Sequence, residues 1–216
     1  MSERNANRPG YKKTRVGWIP EEWEVKRLDS ISKIIMGQSP KSEFYNEKGV
    51  GLPLIQGKSD LKERKTQPRY WTSQITKECE LGDIILSVRA PVGSVASSQH
   101  HACIGRGVCA IRYEKSPDFL FQLLQFSEPG WNRYAQGSTF EAVVSKDVKL
   151  FRVPFPPLEE QKKIAEILGT WDRAVEQTRQ LIDTKQRLKK GLMQQLLTGR
   201  MRFPGFGSVV EKAGEL

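Results

Sequence analysis

The feature that most constrains how this chain can fold is a helix-compatible stretch near its C-terminal end. It follows directly after Pro156 and Pro157, and no further proline interrupts residues 158–198. A proline keeps the residue before it out of the helical conformation, but it is well tolerated at a helix start. Glu159 and Glu160 then lie where the helix dipole favours negative charge. The sequence therefore predicts one long helix over residues 158–198.

One face of this predicted helix is apolar along most of its length. Placing heptad position a at Ile164 puts apolar residues at most a, d and e positions, with charged residues beside them. At 1.5 Å per residue this stripe is about 50 Å long, which is as long as a domain built from the rest of the chain. The helix could fold back on that domain, but the stripe would then overhang it. We therefore expect a partner helix from another chain or protein, packed against Ile164, Ile167, Leu168, Trp171, Val175, Leu181, Ile182, Leu188 and Leu192.

The sequence before the helix carries the pattern of short strands. Apolar and β-branched runs occur at Leu52–Ile55, 84–88, 92–96 and 108–113, and glycines and prolines separate them. Short strands at regular spacing with turn residues between them indicate an antiparallel or mixed sheet. Gly105, Arg106 and Gly107 are expected to form a hairpin turn.

A helical period follows these runs. Apolar residues recur at helical spacing over 119–124, directly after Pro117, and the Pro-Gly pair at 129–130 is expected to end that helix. A final strand is expected at 151–155. The fold class is therefore α+β. It comprises one mixed α/β domain with a small twisted sheet or barrel and a single core, followed by the long helix.

These patterns divide the chain into four parts. The N-terminus is polar and basic, without the apolar core of a signal peptide, and no apolar run approaches a membrane span. The three cysteines are odd in number and lack C-x-x-C spacing, so they are expected to be free thiols in a reducing cytosol. The expected parts are a flexible arm at 1–16, a domain at 17–157, the helix at 158–198 and a tail at 199–216.

The chain is basic, with a net charge of +10, and most of the surplus lies before the helix. Residues 1–157 hold 24 Lys and Arg against 17 Asp and Glu, whereas residues 158–216 hold 11 against 8. Such a surplus indicates a polyanion, usually nucleic acid, although many basic proteins never bind one. Charge alone leaves both interpretations open.

Motifs of enzymes are missing from the sequence. It has no G-x-x-x-x-G-K-[ST] phosphate loop, no H-E-x-x-H and no Asn/Asp-Pro-Pro-Tyr/Phe tetrapeptide of amino-methyltransferases. With two histidines and no paired cysteines there is no credible metal site. Cys103 beside His100 or His101 fits no rule for a nucleophile and its base. We assign no catalytic or metal-binding residue, although spacing alone leaves a metal-dependent nuclease open.

Three stretches have the residue types that bind DNA. Residues 57–71 are basic and turn-rich and could follow phosphates, although a solvated charged loop would look the same. Two arginines lie near turns, and arginine can pair bidentately with guanine. Residues 131–147 place polar groups and a lysine around a glycine, which suits a phosphate or base-edge site unless the hydroxyls only cap turns. The candidates are Lys58, Arg64, Lys65, Arg69, Arg89, Arg106, Gln136, Ser138, Thr139 and Lys146.

Several segments of the chain resemble the DNA-specificity subunit of type I restriction–modification systems. They are GWIPEEWEVKRLDSI, GDIILSVRAPVGSVA, GSTFEAVVSKDVKLFRVPFPPLEEQKKIAEIL and LMQQLLTGRMRFPGF. The segment PPLEEQKKIAEIL is the most specific of them. The likeness runs from about residue 17 to about residue 206.

The resemblance implies a target recognition domain followed by a spacer helix, a unit that the family usually carries twice. Each recognition domain reads one half of a split DNA site in the major groove. The spacer helices pair antiparallel and dock the modification subunits, which hold S-adenosylmethionine and methylate adenine. A translocating endonuclease subunit, with ATP and Mg²⁺, joins for cleavage. The specificity subunit itself is expected to be non-catalytic, to hold no cofactor and to act in the prokaryotic cytoplasm.

The sequence departs from the family pattern because it has one such unit rather than two. This implies a half-length subunit that forms a homodimer through residues 158–198 and reads a symmetric, split site. Alternatively, the chain is a partial product that pairs with another half. A stand-alone DNA-modifying or DNA-cleaving enzyme, or a coiled-coil adaptor without a nucleic-acid role, also remains open. The resemblance does not identify base-reading residues, so the ten DNA-binding candidates rest on their chemistry alone.

Overall fold

A computed structural model describes residues 8–135 and 142–206. The chain divides into two compact units, residues 1–167 and residues 168–216. Among the described residues, the first unit holds all the strands and four short helices, and the second holds most of one long helix. The strands are β1 (Tyr11–Thr14), β2 (Gly17–Pro20), β3 (Glu24–Arg27), β4 (Lys33–Met36), β5 (Tyr45–Asn46), β6 (Leu52–Ile55), β7 (Leu61–Lys62), β8 (Lys65–Thr66), β9 (Tyr70–Thr72), β10 (Glu78–Cys79), β11 (Ile84–Ser87), β12 (Val95–Ser97), β13 (Ala102–Ile104), β14 (Val108–Arg112) and β15 (Arg152–Phe155).

Five α-helices accompany these strands within the described residues, together with two 3₁₀ turns at Ser42–Phe44 and Lys58–Asp60. The fifth helix is by far the longest, with 40 residues. The α-helices are α1 (Leu28–Ile31), α2 (Pro117–Phe126), α3 (Glu128–Ala135), α4 (Ser145–Leu150) and α5 (Leu158–Leu197).

The strands of the first unit form two mixed sheets and two antiparallel pairs, β1 with β2 and β3 with β15. One sheet has six strands in the order β4-β14-β11-β12-β8-β7, and the other has five in the order β10-β13-β6-β9-β5. Most neighbours are antiparallel, but β12 pairs with β8, and β13 with β6, in parallel. In the described residues both sheets are open and end in edge strands. The expected small sheet, rather than a barrel, is therefore the arrangement found.

The central strands of the six-stranded sheet are buried on both faces, which divides the expected single core in two. Ile84 and Leu86 of β11 join a cluster with Leu124 of α2 and the other short helices. Their neighbour Ile85 points to the opposite face and joins a cluster with Ile104 of β13. Alternate side chains of a strand point to opposite faces, so two buried faces require a continuous apolar run. This explains why β11 reads IILS rather than alternating with charges.

Three local expectations are corrected by the structure. The Pro-Gly pair at 129–130 does not end α2, because α2 stops at Phe126 and a second helix runs through the pair. Pro129 lies in the first turn of α3, where a missing backbone N–H costs no hydrogen bond. The turn at 105–107 is not a hairpin, since β13 and β14 belong to different sheets. Residues 57–71 are not one loop but contain a 3₁₀ turn and strands β7, β8 and the start of β9.

The long helix begins at Leu158, as predicted, and ends at Leu197, one residue earlier than expected. Its first ten residues belong to the first compact unit. No helix of the described residues is both long enough and apolar enough to cross a bilayer.

Candidate DNA interface and partner-binding helix

Four loops of the first unit border a polar cleft with a volume of about 980 Å³. They follow β4, β6 and β11 and connect β13 to β14. Loops at the ends of packed strands are where a rigid scaffold can present side chains to a partner. The cleft is lined by Ser39, Pro40, Ser42, Tyr45, Gln56, Gly57, Lys58, Ser59, Arg89, Ala90, Pro91, Arg106 and Gly107.

Three of the predicted DNA-binding residues meet at this cleft, and all three side chains are exposed. Lys58 is the first residue of a 3₁₀ turn. Arg89 follows the end of β11 and forms a β-bridge with Ala142. The backbone N–H of Arg106 donates to Ser39 Oγ, at an N–O distance of 3.1 Å. Residues separated by up to 48 positions in the sequence thus share one surface.

The cations of the cleft are not neutralised from within the described residues, where Lys58, Arg89 and Arg106 form no ion pair. Other lining side chains carry hydroxyl and amide groups, as in Ser42 and Gln56. Cations bind phosphates, and arginine, hydroxyl and amide groups can also pair with base edges. The cleft therefore has the chemistry of a nucleic-acid interface.

Close backbone packing fixes Arg106 relative to the other loops. A Cβ on Gly107 would lie 2.2 Å from the carbonyl oxygen of Gln56, and one on Gly37 would lie 2.1 Å from that of Gly105. Both distances are far inside van der Waals contact, so only glycine allows the backbones to approach in this way. The N–H of Gly105 also donates to the carbonyl oxygen of Ile55, at 2.8 Å. The loop that carries Arg106 is therefore held rigidly at the cleft.

Arg69, another predicted DNA-binding residue, supports the turn that carries Lys58. Its Nε donates to Oδ1 of Asp60 at 2.8 Å, and its Nη2 donates to Ser59 Oγ at 2.7 Å. The carboxylate of Asp60 is buried, and its Oδ2 accepts the backbone N–H of Gln56 at 2.8 Å. The hydrogen bond and the charge of Asp60 raise the pKa of Arg69. Arg69 thus stabilises one wall of the cleft rather than lining it.

Arg64 lies in the tight turn between β7 and β8 and is also held by a carboxylate. Glu63 and Arg64 both have positive φ angles, 48° and 63°, as the central residues of such hairpin turns require. The guanidinium of Arg64 makes a two-contact ion pair with Glu128 of α3. The same carboxylate accepts the N–H of Val95 at 2.8 Å, so it ties the turn to β12. Lys65, the next residue, is exposed and does not line the cleft.

The remaining candidates belong to the predicted polar stretch after α3. Lys146 is exposed in the first turn of α4. Gln136, Ser138 and Thr139 lie outside the described residues. The segment resumes at Ala142, beside Arg89.

The stripe predicted on the long helix is largely exposed in the structure. Trp171 exposes 68% of its surface, and Ile167 exposes 60%. Leu168, Val175, Leu181, Ile182, Leu188 and Leu192 are also exposed, and Ile164 is half-buried. Monomeric proteins rarely expose so long a row of large apolar side chains.

The C-terminal half of α5 also forms a shallow apolar groove of about 340 Å³. It is lined by Lys185, Leu188, Lys189, Leu192, Met193, Leu196 and Leu197. The sequence prediction named only Leu188 and Leu192 of these residues, because polar residues such as Lys185 and Gln195 occupy heptad positions a and d near the end of the helix. The two lysines are well placed to cover apolar surface with their side-chain stems.

Sequence reasoning also missed the uncharged residues of the cleft, such as Ser39, Tyr45 and Gln56. No local pattern marks them, because strands from different parts of the chain bring them together.

In the described part of the chain, no group of His, Cys, Asp or Glu side chains is arranged to hold a metal ion. Burial raises the pKa of the Cys79 thiol to about 11 and that of Cys109 to about 12.

Comparison with known proteins connects this geometry to a family. The family described as "Type I restriction modification DNA specificity domain" matches residues 20–184. The MjaX specificity subunit of Methanocaldococcus jannaschii, named for a type I restriction enzyme, is 40% identical over 197 residues. These cover 89% of this chain and 46% of that protein.

Two solved structures have the same fold. The crystal structure of the HsdS subunit from Thermoanaerobacter tengcongensis is 33% identical, with a TM-score of 0.65, over 86% of this chain and 47% of that one. A structure described under complex assembly and conformational transition of the type I R-M system is 36% identical, also with a TM-score of 0.65. It matches over 82% of this chain and 46% of that one. The chain thus spans about half the length of the relatives it matches.

Proposed function

We propose, from the premise that this chain belongs to the type I restriction–modification DNA specificity family, that it recognises one half of a bipartite DNA site. In this proposal one recognition unit binds one half-site, and α5 links it to a second recognition unit. The chain performs no catalytic step of its own. It supplies one recognition unit and one pairing helix, and it spans about half the length of its relatives.

The observation that carries the DNA-binding proposal is the cleft with Lys58, Arg89 and Arg106. Phosphate contacts supply most of the affinity for DNA, and base contacts supply the sequence preference. Arg89 and Arg106 are the best candidates for guanine edges, because arginine can donate two parallel hydrogen bonds to one guanine. Lys58, at the rim of the same cleft, is better suited to a phosphate. Lys65 and Lys146 are exposed and would add phosphate contacts.

The exposed stripe of α5 is proposed to pair with the same stripe of a second copy. Charges along the helix favour an antiparallel arrangement. Residues 158–172 hold four acidic and two basic residues, whereas residues 184–198 hold four basic and no acidic ones. An antiparallel pair places each acidic start beside the basic end of its partner, and a two-fold axis makes both contacts equivalent. The homodimer would then present two recognition units to a symmetric, split site.

Further partners are proposed from the family. They are the modification subunit, which would hold S-adenosylmethionine, and the restriction subunit, which would use ATP and Mg²⁺. The structure described under complex assembly of the type I R-M system supports the idea that relatives of this chain work in such assemblies. In this proposal the chain scaffolds both partners in the prokaryotic cytoplasm and needs no cofactor itself.

The decisive experiment measures binding of the full chain, assembled with its modification subunit, to DNA duplexes at several salt concentrations. Replacing Lys58, Arg89 and Arg106 by alanine should weaken binding and lower the slope of log affinity against log salt by about one for each phosphate that the variant no longer binds. Arg152→Ala is the matched control, because Arg152 is exposed on β15 and does not line the cleft. Unchanged affinity and slope in the triple variant would exclude the cleft as the interface. Methyl transfer or cleavage by the chain alone would instead favour a stand-alone enzyme.

A further inference from the structure

The first turn of α5 contains a buried polar residue that the proposed function does not use. Gln161 exposes only 1% of its surface. The hydroxyl of Tyr113 donates to Oε1 of Gln161 at 2.9 Å, and Nε2 of Gln161 donates to the carbonyl oxygen of Pro156 at 2.8 Å. Both ends of the amide are therefore bonded. Gln161 also falls in phase with the apolar stripe, three residues before Ile164, where an apolar residue would be expected.

These two bonds make the orientation of the helix start specific. An apolar side chain at this position could slide on its neighbours at little cost, because hydrophobic contact has no direction. A buried amide loses much more if its partners move, since an unpaired buried polar group is costly. Tyr113 directly follows β14, and Pro156 directly follows β15. A rotation of the first turn would break one bond or both.

A neighbouring residue anchors the same turn to the segment between β2 and β3. Nε1 of Trp23, just before β3, donates to Oε2 of Glu160 at 2.9 Å. Tyr113 is itself held in place, because its ring packs edge-on against Phe155 of β15 with 6.0 Å between the centroids. Two consecutive residues of the helix are thus bonded to separate elements of the recognition unit, and these bonds leave the helix start little freedom to pivot.

We propose that Gln161, together with Tyr113, is a positioning residue that determines how strictly the assembly measures the distance between half-sites. This inference rests on the proposed function, because it concerns the link between the DNA-reading unit and the pairing helix. Leu181 lies twenty residues beyond Gln161 on the same helix. Twenty residues of helix are about 30 Å and one base pair rises about 3.4 Å, so a pivot of roughly 6° displaces Leu181 by one base-pair step. A small pivot at the first turn of α5 would therefore let the assembly accept half-sites that are one base pair too far apart or too close.

The test compares methylation by the full assembly on duplexes whose two half-sites are separated by the natural spacer or by one base pair more or fewer. Gln161→Leu removes both hydrogen bonds and keeps a side chain of similar size. Tyr113→Phe removes only the hydroxyl and keeps the ring on Phe155, so it provides a milder second variant. Ser98→Ala is the control for stability, because it also removes a buried hydroxyl, whose bond to the His100 carbonyl measures 2.7 Å, from the same unit.

Tyr113→Phe should lower the preference for the natural spacer by about tenfold, the effect of losing one buried hydrogen bond, and Gln161→Leu, which loses two, should lower it further. Affinity for a duplex with a single half-site should stay unchanged, and Ser98→Ala should keep the full preference. If the wild-type assembly prefers the natural spacer, and folded Gln161 and Tyr113 variants show the same preference, this inference is overturned but the proposed function is not. A wild-type assembly without any preference for a split site would overturn the proposed function, and this inference with it.

Discussion

Trp171→Asp is the substitution that tests the proposed pairing of α5 most directly, because Trp171 is the largest and most exposed side chain of the stripe. A tryptophan presents about 200 Å² of surface, and 68% of that of Trp171 is exposed in the single chain. Burying it against a second copy at about 25 cal/mol/Å² contributes about 3 kcal/mol per chain. In a two-fold symmetric dimer the residue occurs twice, so its replacement removes about 6 kcal/mol. The dissociation constant should therefore rise about 10⁴-fold.

Sedimentation equilibrium of the full chain measures this effect. We expect a dimer for the wild-type chain and a monomer for Trp171→Asp at the same loading, because aspartate also brings an unpaired charge into the interface. Gln180→Asp is the matched control, since it introduces the same charge on the opposite, exposed side of the same helix. Circular dichroism confirms that both variants keep their helix content. A Trp171→Asp chain that stays dimeric, or a wild-type chain that is monomeric at high concentration, would refute the pairing through this face.

Two further predictions concern the recognition unit. In urea unfolding, Gly93→Ala should destabilise the unit more than Gly82→Ala does, by at least about 1 kcal/mol. Both glycines have positive φ, but of the two only Gly93 would bring a Cβ into a clash, at 2.8 Å from Cβ of Trp131, so equal destabilisation would mean that the packing relaxes freely. Cys79 and Cys109 should resist iodoacetamide at neutral pH until the chain unfolds, because burial raises their pKa values to about 11 and 12 and the thiolate is the reactive form; rapid native-state labelling, followed by mass spectrometry, would contradict this.

The sequence was most informative where local signals agree. The bounds of β6 were predicted to the residue, because glycines enclose a short apolar run. The start of α5 was predicted by the proline pair, and its apolar face by the heptad pattern. The fold class is confirmed by the structure and by two solved structures with the same fold. The assignment to the family of type I restriction–modification specificity subunits is confirmed by the family match and by the relatives, which are named as specificity subunits.

The sequence was least informative where distant residues meet. Whether an arginine is free or paired depends on contacts such as Arg64 with Glu128, which lie 64 positions apart. Composition could therefore not separate Arg89 and Arg106, which line the cleft, from Arg69, which supports it. The strand Ala102–Ile104 went unrecognised because two histidines and a glycine flank a run of only three residues. Gln161 carried a signal in the sequence, since it is a polar residue in phase with the stripe.

The cleft is built from loops, and this has a consequence for how such a chain can diversify. Its lining residues are exposed or half-buried with the exceptions of Pro40 and Gly107, and none of them belongs to either apolar cluster. Exchanging a few lining residues therefore alters the binding surface without disturbing the packing that keeps the unit folded. Under the proposed function, single exchanges in the cleft then change the sequence preference while the unit stays folded.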